Sequence, residues 1–80
     1  MKIKSRIYNS TLYVLLSGEL DSNTAVYARE EMDKAFASGL FKQIIIDLSE
    51  LEFMDSTGIG LLIGRYKKMQ EKHVPIFICN

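Results

Sequence analysis

Polar and apolar residues alternate through KIKSRIY, residues 2–8. That period of two predicts a strand with one wet face. Lys2, Lys4 and Arg6 take the wet positions, where charge also protects a sheet edge. Asn9-Ser10 reads as a hairpin turn. Leu12–Leu16 is apolar without interruption and predicts an interior strand covered on both faces, ended by Gly18. Asp21-Ser22-Asn23-Thr24 is then a dense set of helix-start residues. Ala25, Ala28, Met32, Ala35 and Phe36 follow at helical spacing as one apolar stripe. Glu30 and Lys34 sit four apart in the favourable order, and Gly39 offers a left-handed cap at the end.

Gln43–Leu48 holds three consecutive isoleucines, a buried strand by length and β-branching. Leu51–Asp55 leads into a second helix, whose buried face is read as Ile59, Leu62, Ile63, Tyr66 and Met69. Lys67, Lys68, Lys72 and His73 crowd its C-terminal end, where the helix dipole favours positive charge. Val74–Cys79 is a last apolar strand, with Pro75 near its start. The order is strand, strand, helix, strand, helix, strand. It predicts an α/β fold: an N-terminal antiparallel hairpin, then parallel strands joined by right-handed crossovers, with helices packed on the sheet. The last strand is expected beside Ile44–Ile46. No internal repeat or linker divides the chain, so residues 1–80 read as one domain.

Composition narrows the function classes. The 80 residues are 48% hydrophobic and 25% charged, a globular balance. Ten basic and ten acidic residues give a formal net charge of zero, which argues against a nucleic-acid or anionic-membrane partner. The apolar run after the basic start is too short for a signal or a membrane span. With a single cysteine, Cys79, no internal disulfide forms, and a cytoplasmic setting is expected. Cys79 itself reads as a core residue of its strand.

Candidate chemistry is sparse. Gly58-Ile59-Gly60 begins like a dinucleotide-binding turn, but Ile63 stands where the third glycine belongs and the downstream acid is missing. There is no Gly-Lys-Ser/Thr for a P-loop. His73 is the only histidine and sits in a lysine-rich helix end, a poor base for a Ser-His-Asp triad. Asp21, Asp47 and Asp55 are each explained by turn and cap chemistry. No catalytic residue, metal site or cofactor is expected.

The informative stretch is FMDSTGIGLLIGRY, residues 53–66. Ser56-Thr57 follows Asp55 at a strand-to-helix junction, where Ser56 or Thr57 reads as the N-cap. The free amides and partial positive charge of a helix start would also stabilise a phosphate on a hydroxyl there. Such a phosphate adds about −1.5 to −2 charges beside Asp55, with Asp21 expected close by. That is the layout of a binding switch. Gly60 and Gly64 share one helical face beside Lys67, each at a cost of up to ~1 kcal/mol relative to alanine. They leave room for close approach, either by a neighbouring helix of the domain or by a partner.

SGELD at 17–21, TA at 24–25 and IIIDLSELEFMDSTGIGLLIGRYKKM at 44–69 resemble the STAS-domain anti-sigma factor antagonists, in particular the sporulation and stress-response anti-anti-sigma factors of Gram-positive bacteria. The resemblance implies a small cytoplasmic domain, not an enzyme, that takes part in partner switching and so in transcription regulation. Its partner would be an anti-sigma factor that is also a serine kinase. Phosphorylation of the serine after the motif aspartate, here Ser56, would switch binding off, and a PP2C-type phosphatase would restore it. Asp21 and Asp55 match the acidic residues beside the phosphosite. Thr57, Gly58, Gly60 and Gly64 fall in the docking segment. A non-catalytic STAS scaffold or a transporter-associated subunit is the alternative reading. Family domains continue past the strand matching VPIFICN with further helices and a strand. The expectation is therefore either a C-terminally shortened domain or an unusually small one, with apolar surface from Met32, Phe36 and the sheet left uncovered, and self-association as a homodimer or strand exchange.

Overall fold

The computed structural model describes all residues 1–80. The elements run β1 Lys2–Tyr8, β2 Thr11–Leu20, α1 Ala25–Phe36, β3 Gln43–Met54, α2 Ser56–Glu71 and β4 Ile76–Cys79. The four strands form one sheet in the order β1-β2-β3-β4. β1 and β2 are antiparallel, and β3 and β4 pair in parallel with their neighbours. Ile44 lies opposite Ile76 and Ile46 opposite Ile78, as expected. Asn9 and Ser10 make the hairpin turn with φ of 49° and 63°, the left-handed pair that matches strand twist.

Both helices lie on one side of the sheet. The core joins Leu12, Val14, Leu16 and Leu20 of β2 to Ile44 and Ile46 of β3, with Ala28, Met32 and Ala35 of α1 and Leu62 and Met69 of α2. Fully burying each leucine, isoleucine, valine or methionine among them stabilises by about 1.5–3 kcal/mol. Met32 is fully buried, not left uncovered, because α1 seats it against β2. The alternation along β2 means that only this face is covered: Tyr13 is exposed on the other. The expectation of cover on both faces of β2 therefore fails, because both crossovers place their helices on the same side.

Gly18 does not end β2. The strand continues to Leu20, and the 12 residues of β3 face the 10 of β2 through register shifts at Leu15/Ser17 and Gly18/Glu19. Gly18 takes φ +99° at the second shift, a value other residues rarely adopt. Three further expectations change. Gly39 has no left-handed conformation, and α1 closes on Ala37. A Cβ at Gly39 would lie 2.8 Å from Ile7 Cδ1, so the glycine makes room for that side chain. Lys34 pairs with Glu31 at 3.0 Å rather than with Glu30. Cys79 is exposed, because its side of the sheet carries no layer.

The C-terminal end of α2 is closed by His73 at φ 61°, with Val74 N donating to Met69 O at 2.9 Å and His73 N to Gln70 O. This is a Schellman closure with a non-glycine at its left-handed position. α1 and α2 are pinned together by Arg65, whose Nη1 reaches both Asp33 oxygens at 2.7 and 2.8 Å. No helix is long and apolar enough to cross a membrane.

Candidate functional site

The site forms where β2 and β3 end side by side. Leu20 pairs with Met54, and Asp55 N donates to Leu20 O at 3.3 Å. The next residues, Asp21 and Asp55, therefore leave the sheet at the same end. Each starts a different local structure. Asp21 Oδ1 accepts from Asn23 N at 2.9 Å and Thr24 N at 3.2 Å, while Asp21 N donates to Thr24 Oγ1. Asp21 thus closes a turn ahead of α1. Asp55 is the true N-cap of α2: its Oδ1 accepts from Thr57 N at 2.9 Å and Gly58 N at 3.2 Å.

This changes the reading of the hydroxyls. Neither Ser56 nor Thr57 is the cap. Ser56 is the first helical residue, exposed, and its hydroxyl makes no hydrogen bond within the domain. A phosphate on Ser56 would not find an empty cradle, since Asp55 already holds two first-turn amides. It would stand out beside a carboxylate as added surface charge.

The three glycines of α2 separate into two kinds. Gly58 is buried, and a Cβ there would lie 2.7 Å from Leu20 O, 2.7 Å from Met54 Cγ and 2.9 Å from Leu20 Cγ. Its lack of a side chain lets α2 start hard against the strand ends. Gly60 and Gly64 meet nothing within 4 Å. No helix of the domain approaches them, so that explanation of the pair fails. At 100° per residue, Ser56, Gly60, Gly64 and Lys67 lie along one outward face of α2.

Two apolar features border that face, and neither was legible beforehand. Toward α1 a notch of about 200 Å³ is lined by Ala25, Val26, Arg29, Thr57 and Leu61. The sequence signal was Val26, an apolar residue off the α1 stripe and 59% exposed. Toward β4 an open groove of about 410 Å³ runs between Ile59, Ile63 and Tyr66 of α2 and Leu48, Met54 and Ile78 of the sheet. Ile59, Ile63 and Tyr66 were expected in the core, but each is 43% exposed or more. Leu62 and Met69 are buried as expected, together with Gly58, and Leu61 and Arg65 turn toward α1. Three of the five residues of the expected stripe thus line this groove instead of the core. No group of histidine, cysteine and carboxylate side chains is arranged to hold a metal ion.

Comparison with known proteins places this arrangement. The STAS domain profile matches residues 2–80. The chain is 36% identical over 80 residues to an anti-sigma F factor antagonist of Paenibacillus polymyxa, covering all of this chain and 68% of that one. It is 34% identical over 64 residues to an anti-sigma F factor antagonist of Lysinibacillus sphaericus, covering 80% of this chain and 55% of the relative. The chain thus spans between about half and two thirds of the length of these relatives. Among solved structures it superposes on the anti-sigma factor antagonist SpoIIAA in its unphosphorylated form, with a TM-score of 0.76 and 28% identity over 99% of this chain and 73% of that one. SpoIIAA in its phosphorylated form matches with a TM-score of 0.70, over 94% and 68% of the two chains. By profile, sequence and fold together, the chain belongs to the STAS domain family.

Proposed function

We propose that this chain is a phospho-regulated anti-sigma factor antagonist. In its unphosphorylated form it binds an anti-sigma factor that is also a serine kinase, and so frees the sigma factor. Phosphorylation of Ser56 ends the contact, and a PP2C-type phosphatase renews it. One observation carries the reading: Ser56 is exposed at the first position of α2 with a free hydroxyl, because Asp55 has taken the capping role. The hydroxyl is therefore available without unfolding any structure. It opens a face on which Gly60 and Gly64 leave space for a partner's backbone, between two apolar margins. Adding about two negative charges at its head, next to Asp55, would oppose any partner shaped to the neutral serine. Asp21 belongs to the same surface through its place at the neighbouring strand end. The chain supplies the acceptor and the docking face, and the kinase supplies ATP chemistry.

The test is incubation with the candidate kinase and ATP, followed by peptide mass spectrometry. Phosphate is expected on Ser56. Phosphate on Thr57 alone would overturn the assignment. Ser56→Ala should bind the anti-sigma factor and escape control, and Ser56→Asp should bind weakly. A chain that neither binds an anti-sigma factor nor accepts phosphate would instead be a STAS scaffold or a transporter-associated subunit.

A further inference from the structure

The face of the sheet opposite the helices is open, and its side chains form two rows across all four strands. Register places Arg6 beside Tyr13, Tyr13 beside Ile45 and Ile45 beside Phe77. The next row is Lys4, Leu15, Asp47 and Cys79. The centre is apolar, with Tyr13 38% and Phe77 54% exposed. A shallow depression of about 390 Å³ lies over Tyr13, Leu15 and Ile45, with Lys4 and Arg6 along one side.

Two features say what would cover it. First, Tyr13, Ile45 and Phe77 stand in one apolar row across β2, β3 and β4, and three strands about 4.8 Å apart present a band close to the ~10 Å width of a helix. Second, the charges of this face are sorted by strand, with the basic side chains on β1 and the carboxylates Asp47 and Glu50 on β3. Lys2, Lys4 and Arg6 take alternate positions of β1 and join none of the three ion pairs of the domain. Arg6 sits instead over the Tyr8 ring, 5.8 Å from its centre. Asp47, the carboxylate within the depression, is tied to Ser49 N at 2.9 Å and Asn80 Nδ2 at 3.2 Å. Those bonds, that from Ser49 first, hold its carboxyl below the usual range.

We propose that this open face docks a partner protein's amphipathic helix that carries acidic residues along one flank. Its apolar stripe would lie over Tyr13, Leu15 and Ile45, and its acids would face β1. The spacing fits: alternate residues of a strand are about 6.8 Å apart, and residues four apart on a helix advance about 6 Å. Acids at every fourth position would therefore follow Lys2, Lys4 and Arg6 in step. This surface is separate from the Ser56 face and stands or falls independently of it.

A synthetic helix with a leucine stripe and glutamates at every fourth position on one flank is the first probe. Titrated into the isotopically labelled chain, it should shift amide signals of β1, β2 and the first half of β3. The same helix with lysines for glutamates should not. The double variant Lys4→Glu, Arg6→Glu should weaken the glutamate helix about tenfold or more and should gain binding to the lysine helix; that gain requires a folded variant. Ser56→Asp should leave both affinities unchanged. Benzoylphenylalanine in place of Tyr13 then captures the occupant in cells, and the cross-linked segment, resynthesised, should be helical, acidic on one flank and subject to the same charge swap. Equal binding of both probe helices, shifts confined to α2, a cross-link to another copy of this chain, or binding of the wild-type chain to phosphatidylglycerol vesicles in place of the glutamate helix would each overturn the proposal.

Discussion

The strands β2 and β3 end side by side, with Leu20 paired to Met54, and each is followed at once by an aspartate. After Leu20 the chain makes a turn closed by Asp21 and Thr24, and α1 begins with no side-chain cap on its own amides. After Met54 there is no turn. Asp55 caps α2 directly, and Gly58 brings the helix against Leu20. One start is spaced by a self-contained turn and the other is compressed onto the sheet. Both aspartates are followed by an exposed serine, Ser22 and Ser56, but only at the compressed start does that serine stand at the head of the helix itself. An exposed, unbonded hydroxyl at a helix start thus follows from where the cap lies, not from the serine itself.

Six substitutions test this contrast. Gly58→Ala should do most, because its Cβ would meet a backbone oxygen as well as side chains. Overpacking of this kind costs about 1–3 kcal/mol. Urea unfolding measures it, and unchanged stability would mean that α2 is not pressed against β2. Asp55→Ala should cost ~1 kcal/mol through lost capping. The same change at Asp21 should cost less, since its bonds close a turn rather than a helix; equal losses in thermal unfolding would erase the distinction between the two starts.

Gly60→Ala and Gly64→Ala should go the other way. Both sites are open, so alanine should stabilise the domain by up to ~1 kcal/mol each. Under the proposed function, the same variants should bind the anti-sigma factor more weakly, a split that calorimetry and a binding assay read together. A loss of stability would show that α2 needs those glycines for its own packing. Asp21→Asn should have the smallest effect on folding, a few tenths of a kcal/mol, because the amide oxygen can accept the same two bonds. Near-native stability with unchanged affinity for the kinase would remove Asp21 from the docking surface.

Much of this was legible in the residue pattern. The alternation of KIKSRIY, the isoleucine run and the two helical stripes gave the element order, because burial of one face imposes a period on the sequence. The motif at 53–66 located the site. The role of each residue within it was less legible. Asp55, Ser56 and Thr57 are all competent caps, and only the path of the chain out of β3 selects the aspartate. Gly58, Gly60 and Gly64 are identical as letters; one is a contact and two are open space. Ile59, Ile63 and Tyr66 satisfy helical spacing as well as Leu62 and Met69 do, yet they face a groove.

The elements, their order, the parallel connections and the hydroxyl at the head of α2 were readable from the residues, since each depends on neighbours in the chain or on a repeat along it. Tertiary structure decided the rest. It made Asp55 the cap, paired Arg65 with Asp33 across two helices, and carried β2 through Gly18 by matching it to a longer β3. It also set both helices on one face and left the other open. Those outcomes depend on which surfaces meet across more than 30 residues of chain in the case of Arg65 and Asp33, and a pattern along one strand or helix records that a face is apolar without recording whether anything arrives to cover it.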